Sequence, residues 1–293
     1  MDEITTERAG LSRRALLLLG LVLPVACAGP AHEIVARTGT GGAGEAAEIA
    51  QLGTLPVEPF TAGAFSGSNG TGLVYRLLAP ESPRAGRRYP LVLVLHGSGA
   101  IGTDNQAQLG PFARSWTSPA LRRRFPAYVL VPQFPARSAV YETSGVDALP
   151  ISRPQPSLET ALELVDKLLG GYPIDRGRVY AIGFSMGGSA VWDALTLRPE
   201  LFAAAVPIAG VPPPRDEAPR IARIPILIVH GTRDTENPID PDRAMYAALR
   251  SAGARRVRFR EYEGLDHNVP PDMFLGTWWR EWLFAQQRSS DRN

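Results

Sequence analysis

From residue 73 onward, short apolar runs alternate with longer stretches of helical period. Runs at 73–78, 91–95, 128–131, 179–182, 203–208, 226–229 and 257–262 have the length of strands. Several are apolar at every position, as in Leu91-Val92-Leu93-Val94-Leu95, the pattern of strands buried on both faces. Patterns with a period near 3.6 at 158–169, 189–197, 243–252 and 277–287 predict helices between and after them. Strand and helix in alternation imply an α/β domain, with a mostly parallel central sheet and helices on both faces.

Three stretches break the rhythm. Residues 29–72 are rich in Gly, Ala, Thr and Pro and show no sustained period, which predicts a flexible tether. As a coil, about 45 such residues would reach some 35 to 40 Å. Residues 132–156 carry five prolines and no period, so a long irregular connection is expected, functional or partly mobile. The link at 210–225 is too short to fold into a separate cap domain, which predicts an open site.

The first 30 residues differ again. Arg13 and Arg14 precede an apolar run of about eight residues, 15–22, followed by Leu23-Pro24-Val25-Ala26-Cys27-Ala28. A basic start, a short apolar run and small residues are the parts of an export signal at 1–28, and the run is shorter than the roughly 20 residues a spanning helix needs. Val25-Ala26-Cys27 resembles a bacterial lipobox, which would make Cys27 a lipid attachment site; Ala26-Cys27-Ala28 equally satisfies an ordinary signal-peptidase site. Ser12-Arg13-Arg14 further resembles a twin-arginine signal. Cys27 is the sole cysteine, so no intramolecular disulfide can form. The expected location is exported, periplasmic or extracellular, with a lipid anchor as one of two processing routes.

The 293 residues, 44% hydrophobic and 20% charged, suit one large domain at 73–288. A net charge of +2 supplies no field to attract nucleic acid. No metal-ligand spacing, P-loop or dinucleotide fingerprint occurs, and no cofactor is expected.

The chemistry concentrates at Gly183-Phe184-Ser185-Met186-Gly187-Gly188, between a predicted strand and a predicted helix. A G-x-S-x-G turn in that setting lifts a serine hydroxyl clear of a sheet and frees the next backbone N–H to bind an oxyanion. Serine needs an imidazole to take its proton and a carboxylate to hold that imidazole. Of four histidines, only His267 follows both the serine and an acid in the chain order Ser, Asp, His. His32 lies in the expected tether, while His96 and His230 each precede a glycine at a strand end, where packing and hydrogen bonding explain them. Asp234 stands in the turn after 226–229 and is the expected acid. Glu236, Asp240 and Asp242 drift toward the next helix, where its dipole accounts for them, and Asp266, adjacent to His267, would point away from it. The oxyanion donors expected are the N–H groups of Ser98 and Met186. Arg256, Arg258 and Arg260 read as the solvent face of an edge strand, Arg122 to Arg124 as a solvated segment, and Trp278, Trp279 and Trp282 as packing of the last helix.

Together these stretches resemble the α/β-hydrolases, in particular the secreted esterase and predicted-peptidase group related to polyhydroxybutyrate depolymerases, feruloyl esterases and dienelactone-hydrolase-like proteins. Leu95-His96-Gly97-Ser98-Gly99, Gly102-Thr103-Asp104-Asn105, Val131-Pro132-Gln133, Pro173-Ile174-Asp175, Trp192-Asp193 and His230-Gly231 carry the resemblance beside the serine motif. It implies a triad of Ser185, Asp234 and His267, with Ser98 and Met186 at the oxyanion, acting on a small-molecule or polymer-borne carboxylic ester. A prolyl-oligopeptidase-like peptidase is the alternative, and a non-catalytic binding lipoprotein a further one.

Overall fold

The computed structural model describes residue 1 and residues 31–36 and 50–288. The expected export signal and Cys27 lie outside the described residues. Nine strands form one sheet: β1 (His32–Val35), β2 (Phe60–Ser66), β3 (Gly72–Leu78), β4 (Tyr89–Leu95), β5 (Tyr128–Gln133), β8 (Ile174–Phe184), β9 (Ala204–Ile208), β10 (Ile226–Gly231) and β11 (Val257–Tyr262). The order across it is β1-β11-β10-β9-β8-β4-β5-β3-β2, antiparallel at β2–β3 and β3–β5 and parallel elsewhere. A separate hairpin joins β6 (Ala139–Thr143) to β7 (Pro150–Pro154). Four longer helices pack on the sheet, α1 (Pro156–Gly171), α2 (Met186–Leu197), α3 (Asp240–Ser251) and α4 (Trp278–Phe284).

The uninterrupted apolar runs are explained by two cores, one on each face of the sheet. Along β4, Leu91, Leu93 and Leu95 join Leu158, Val165 and Trp192 on one face. Val92 and Val94 join Trp116, Trp279 and Leu283 on the other. A period of two divides β4 in this way, and none of its positions faces water. Chain order reverses at β4, whose neighbours are β5 on one side and β8 on the other. Such a switch point opens a crevice at the carboxyl ends of the strands.

Three expectations need correction. The segment 29–72 is not wholly a tether, because 32–35 adds a parallel strand to β11 and 60–66 pairs with β3. β11 is consequently not an edge strand; Arg258 and Arg260 are half-buried, and the Arg260 guanidinium lies 4.0 Å from the Trp278 ring centroid. The region 132–156, expected to be irregular, carries the β6–β7 hairpin over α2. Between β9 and β10 the chain makes only short helical turns, Arg215–Glu217 and Ala218–Ile221, so no cap domain intervenes.

The hairpin is tied down by one buried carboxyl. The Ser152 hydroxyl donates to Asp193 Oδ1 at 2.6 Å, and Asp193 Oδ2 finds no donor among the described residues. Burial pushes the Asp193 carboxyl up to about 7. Between the carboxyl's ordinary range and that value the folded protein keeps a proton the unfolded chain has lost, so this group makes stability fall as pH rises from about 4 to about 7. Asp193→Asn should therefore flatten the decline of Tm between pH 5 and pH 8 relative to the parent, by the equivalent of roughly a few kcal/mol. Parallel Tm profiles of the two proteins would contradict this.

Candidate active site

Ser185 sits between the end of β8 and the start of α2 with φ 58° and ψ −123°, a backbone region that side-chain-bearing residues rarely occupy. The turn is this sharp because its flanks are bare. A Cβ on Gly183 would overlap the Gly187 carbonyl, and a Cβ on Gly187 would overlap the carbonyl of Leu95 in β4. The Ser185 N–H is held by the Ile208 carbonyl at 2.9 Å, which pins the elbow to β9.

His267, on the loop after β11, brings Nε2 to 2.8 Å from Ser185 Oγ and Nδ1 to 2.7 Å from Asp234 Oδ2. Phe184 packs against its imidazole, with ring centroids 4.9 Å apart. Asp234 lies in the turn after β10 and also accepts from the N–H groups of Glu236 at 3.0 Å and Asn237 at 2.9 Å. Burial alone would raise this carboxyl, but hydrogen bonds from His230, His267 and the Asn237 N–H outweigh it and hold it well below the usual carboxylate range. The other acids stand apart. Asp266 Oδ1 accepts from the His267 backbone N–H, not the imidazole, and the exposed Glu236 carboxylate is 3.7 Å from His267 Nε2.

Ser98 opens a single helical turn after Gly97, and Met186 opens α2. The N–H of a first helical residue has no partner within its own helix, which leaves both amides suited to an oxyanion. The loop carrying Ser98 is strapped from below. His96, its ring kept neutral by burial, accepts from the Phe134 N–H at Nε2 (3.0 Å) and meets the Gly97 carbonyl at Nδ1 (2.7 Å). The buried Gln133 side chain donates to the Ala100 carbonyl and Asp104 and accepts from the Asn105 N–H.

Beside the serine lies an apolar cavity of about 560 Å³, walled by Phe112, Ala113, Phe184, Leu265, Val269 and Phe274. Its floor includes Gly97 and Gly99. Toward the hairpin is a smaller hollow of about 220 Å³ bordered by Tyr141, Glu142, Val211 and Glu236. The Phe274 wall is braced by Arg280, buried between the Trp116 and Trp279 rings and donating to the Phe274 carbonyl at 2.9 Å. Among the described residues, no group of three or more His, Cys, Asp or Glu side chains is placed to hold a metal ion.

His230 and His96 are buried at strand ends, as the sequence implies. Asp242 is more than a helix-dipole carboxylate: it is fully buried at the start of α3 and bound to His230 and Trp192. The residue spacing held no signal for that contact, because it depends on how α3 docks against β10.

Comparison with known proteins bears on the fold and the class. A family model described as phospholipase/carboxylesterase matches residues 147–276. The chain is 32% identical over 171 residues to "Putative esterase NocK" of Nocardia uniformis subsp. tsuyamanensis, covering 57% of this chain and 46% of that protein. A crystal structure of a thermostable esterase superimposes with a TM-score of 0.71 at 35% identity, covering 79% of this chain and 64% of that one. The acylaminoacyl peptidase of Pyrococcus horikoshii shares the fold, with a TM-score of 0.57 at 15% identity over 80% of this chain and 42% of that one. The chain thus spans about half the length of the NocK relative. The chain has the α/β-hydrolase fold, and it is similar to esterases and, in fold, to peptidases.

The geometry singles out one acid. Asp234→Asn should slow labelling of Ser185 by a fluorophosphonate by about 10⁴-fold, since the amide would hold the wrong imidazole tautomer. Glu236→Gln and Asp266→Asn should remain within about tenfold of the parent, as expected of acids that do not touch Nδ1. A larger loss in Asp266→Asn than in Asp234→Asn would reassign the acid.

Proposed function

We propose that the protein hydrolyses carboxylic esters through a Ser185–His267–Asp234 triad and an acyl-enzyme. The observation that carries this reading is the unbroken hydrogen-bond chain from Ser185 Oγ through both ring nitrogens of His267 to Asp234 Oδ2. His267 Nε2 takes the proton from Ser185 Oγ as the oxygen bonds to the ester carbonyl carbon, and the oxyanion is held by the Ser98 and Met186 N–H groups. Collapse of the tetrahedral species breaks the bond to the alcohol, which leaves with the proton from His267. Water then repeats the sequence on the acyl-enzyme and releases the acid. Asp234 stays ionised throughout, in keeping with its depressed proton affinity.

The cavity walled by Phe112, Val269 and Phe274 supports an ester with one bulky apolar arm, its volume being in the usual range for small-molecule sites. An open cleft without a cap suits small esters and esters borne on a polymer alike.

Ser185→Ala and His267→Ala should each lower kcat for p-nitrophenyl butyrate by at least about 10⁴-fold, and the double variant should be no worse than either, because triad members act as a unit. Along p-nitrophenyl esters from acetate to octanoate kcat/KM should rise, and Ala113→Trp should abolish that rise while sparing the acetate. A rise with alkyl rather than acyl length would assign the cavity to the alcohol. Release of aminoacyl amides in preference to esters would favour the peptidase reading.

We further propose export, with Cys27 as the acylated N-terminus, on the strength of the basic start, the apolar run and the small residues before Cys27. Mass analysis of the mature protein should then find lipid on Cys27, and Cys27→Ser should move the enzyme from the membrane fraction to a soluble exported pool. A lipid-free chain beginning at Gly29 would overturn the anchor and leave the hydrolytic reading standing.

A further inference from the structure

Behind the triad carboxylate lies a second histidine and a second aspartate. His230 Nε2 is 3.3 Å from the same Asp234 oxygen that His267 binds, and 2.8 Å from the Asn237 carbonyl. Because a carbonyl can only accept, Nε2 carries the hydrogen and shares it between the two oxygens. On the opposite side of the ring, Nδ1 is 2.8 Å from Asp242 Oδ2, while Trp192 Nε1 donates to Asp242 Oδ1 at 3.1 Å. A ring nitrogen and a carboxylate oxygen at that distance need a proton between them, so the buried pair retains one. The side chains of His230, Asp234 and Asp242 are all inaccessible to solvent.

We propose that His230 and Asp242 are positioning residues for hydrolysis: through the shared Asp234 oxygen they keep the triad carboxylate oriented and weakly basic, and so set the pH dependence of ester turnover. This rests on the reading of Ser185, His267 and Asp234 as the catalytic triad. A carboxylate oxygen that receives two imidazole donors binds each proton less strongly than one that receives a single donor. Losing the second donor should therefore move the acid limb of hydrolysis to higher pH.

The direction of each proton affinity agrees. Burial disfavours a charged His230, yet its bonds to Asp234 and Asp242 raise it to about 9. Burial pushes the Asp242 carboxyl up, and the first turn of α3 offers it the positive end of a helix dipole. Other groups face these rings without replacing the pair. Glu261 on β11 lies beside His230 in the sheet register but is bonded to Arg243 and His32, and Glu236 near His267 is exposed to solvent. On α2, Asp193 is bonded to Ser152, on the hairpin side.

The test is the pH dependence of kcat/KM for p-nitrophenyl butyrate in the full-length protein, with active sites counted by fluorophosphonate titration. Asp242→Asn is isosteric; it removes the counter-charge that keeps His230 cationic while an Nε2–H donor remains. His230→Gln removes the imidazole. Both should move the acid limb to higher pH by about 0.5 to 1 pH unit, lowering kcat/KM about three- to tenfold at pH 6 and less at pH 8.5. The low-field proton resonance of His267 Nδ1–H should move in both variants as well, a readout that needs no substrate. A purely structural role predicts an equal loss at every pH with the limb unmoved. That result in folded Asp242→Asn overturns the proposal, with or without a folded His230→Gln. If the parent's ester turnover survived Ser185→Ala, the triad reading itself would fail, an outcome distinct from an unmoved limb.

Discussion

A carboxylate kept ionised out of water is the constraint on which this site depends. The Asp234 side chain is inaccessible to solvent, and an unsatisfied buried charge there would cost several kcal/mol. The fold answers with donors from several places: two backbone N–H groups of its own turn, His267 from the loop after β11 and His230 from the end of β10. Each donor is in turn fixed. His230 is held by Asp242 on α3 and Asn237 by the Ala209 carbonyl after β9, so the geometry around one carboxylate records the packing of three elements.

The same economy of backbone governs the placing of Ser185. The elbow can turn only where Gly183 and Gly187 let β8, α2 and the end of β4 touch, and those close approaches also bring the Ser98 loop to the serine. His96 and Gln133 then set that loop from beneath by bonds to β5 and the segment after it. The two amides proposed to bind the oxyanion are thus carried by neighbouring strand ends on either side of the switch point, not by a flexible loop.

What was legible in the sequence follows from burial. Strands β4, β5, β9 and β10 and the second half of β8 are covered on both faces and show as apolar runs, while β11 alternates apolar with charged positions. β1, β2, β6 and β7 are half exposed, small or proline-bearing, and their pairing is decided by partners far along the chain. Residues 60–66, Phe-Thr-Ala-Gly-Ala-Phe-Ser, are too mild in pattern to mark a strand without β3 beside them. Ser185, Asp234 and His267 could be singled out because chain order and strand-end turns restrict where such groups can sit. The His230–Asp242 pair could not, since a histidine before a glycine and an aspartate in a first helical turn each have a sufficient local explanation. Their meeting is a tertiary fact.

The entry of β1 bears on how an anchored enzyme would meet its substrate. β1 runs parallel to β11, so the chain approaches it from the end of the sheet opposite the strand ends that carry Ser185, Asp234 and His267. Cys27 precedes His32 by five positions, a path of at most about 18 Å when extended. With Cys27 acylated as proposed, the domain would be held close to the bilayer by the amino-terminal end of its sheet, not on a long tether. The cleft would then face away from the lipid. That arrangement favours esters arriving from the aqueous phase or from a polymer over esters embedded in the supporting membrane, and the absence of a cap leaves the apolar cavity open on the side from which they would come.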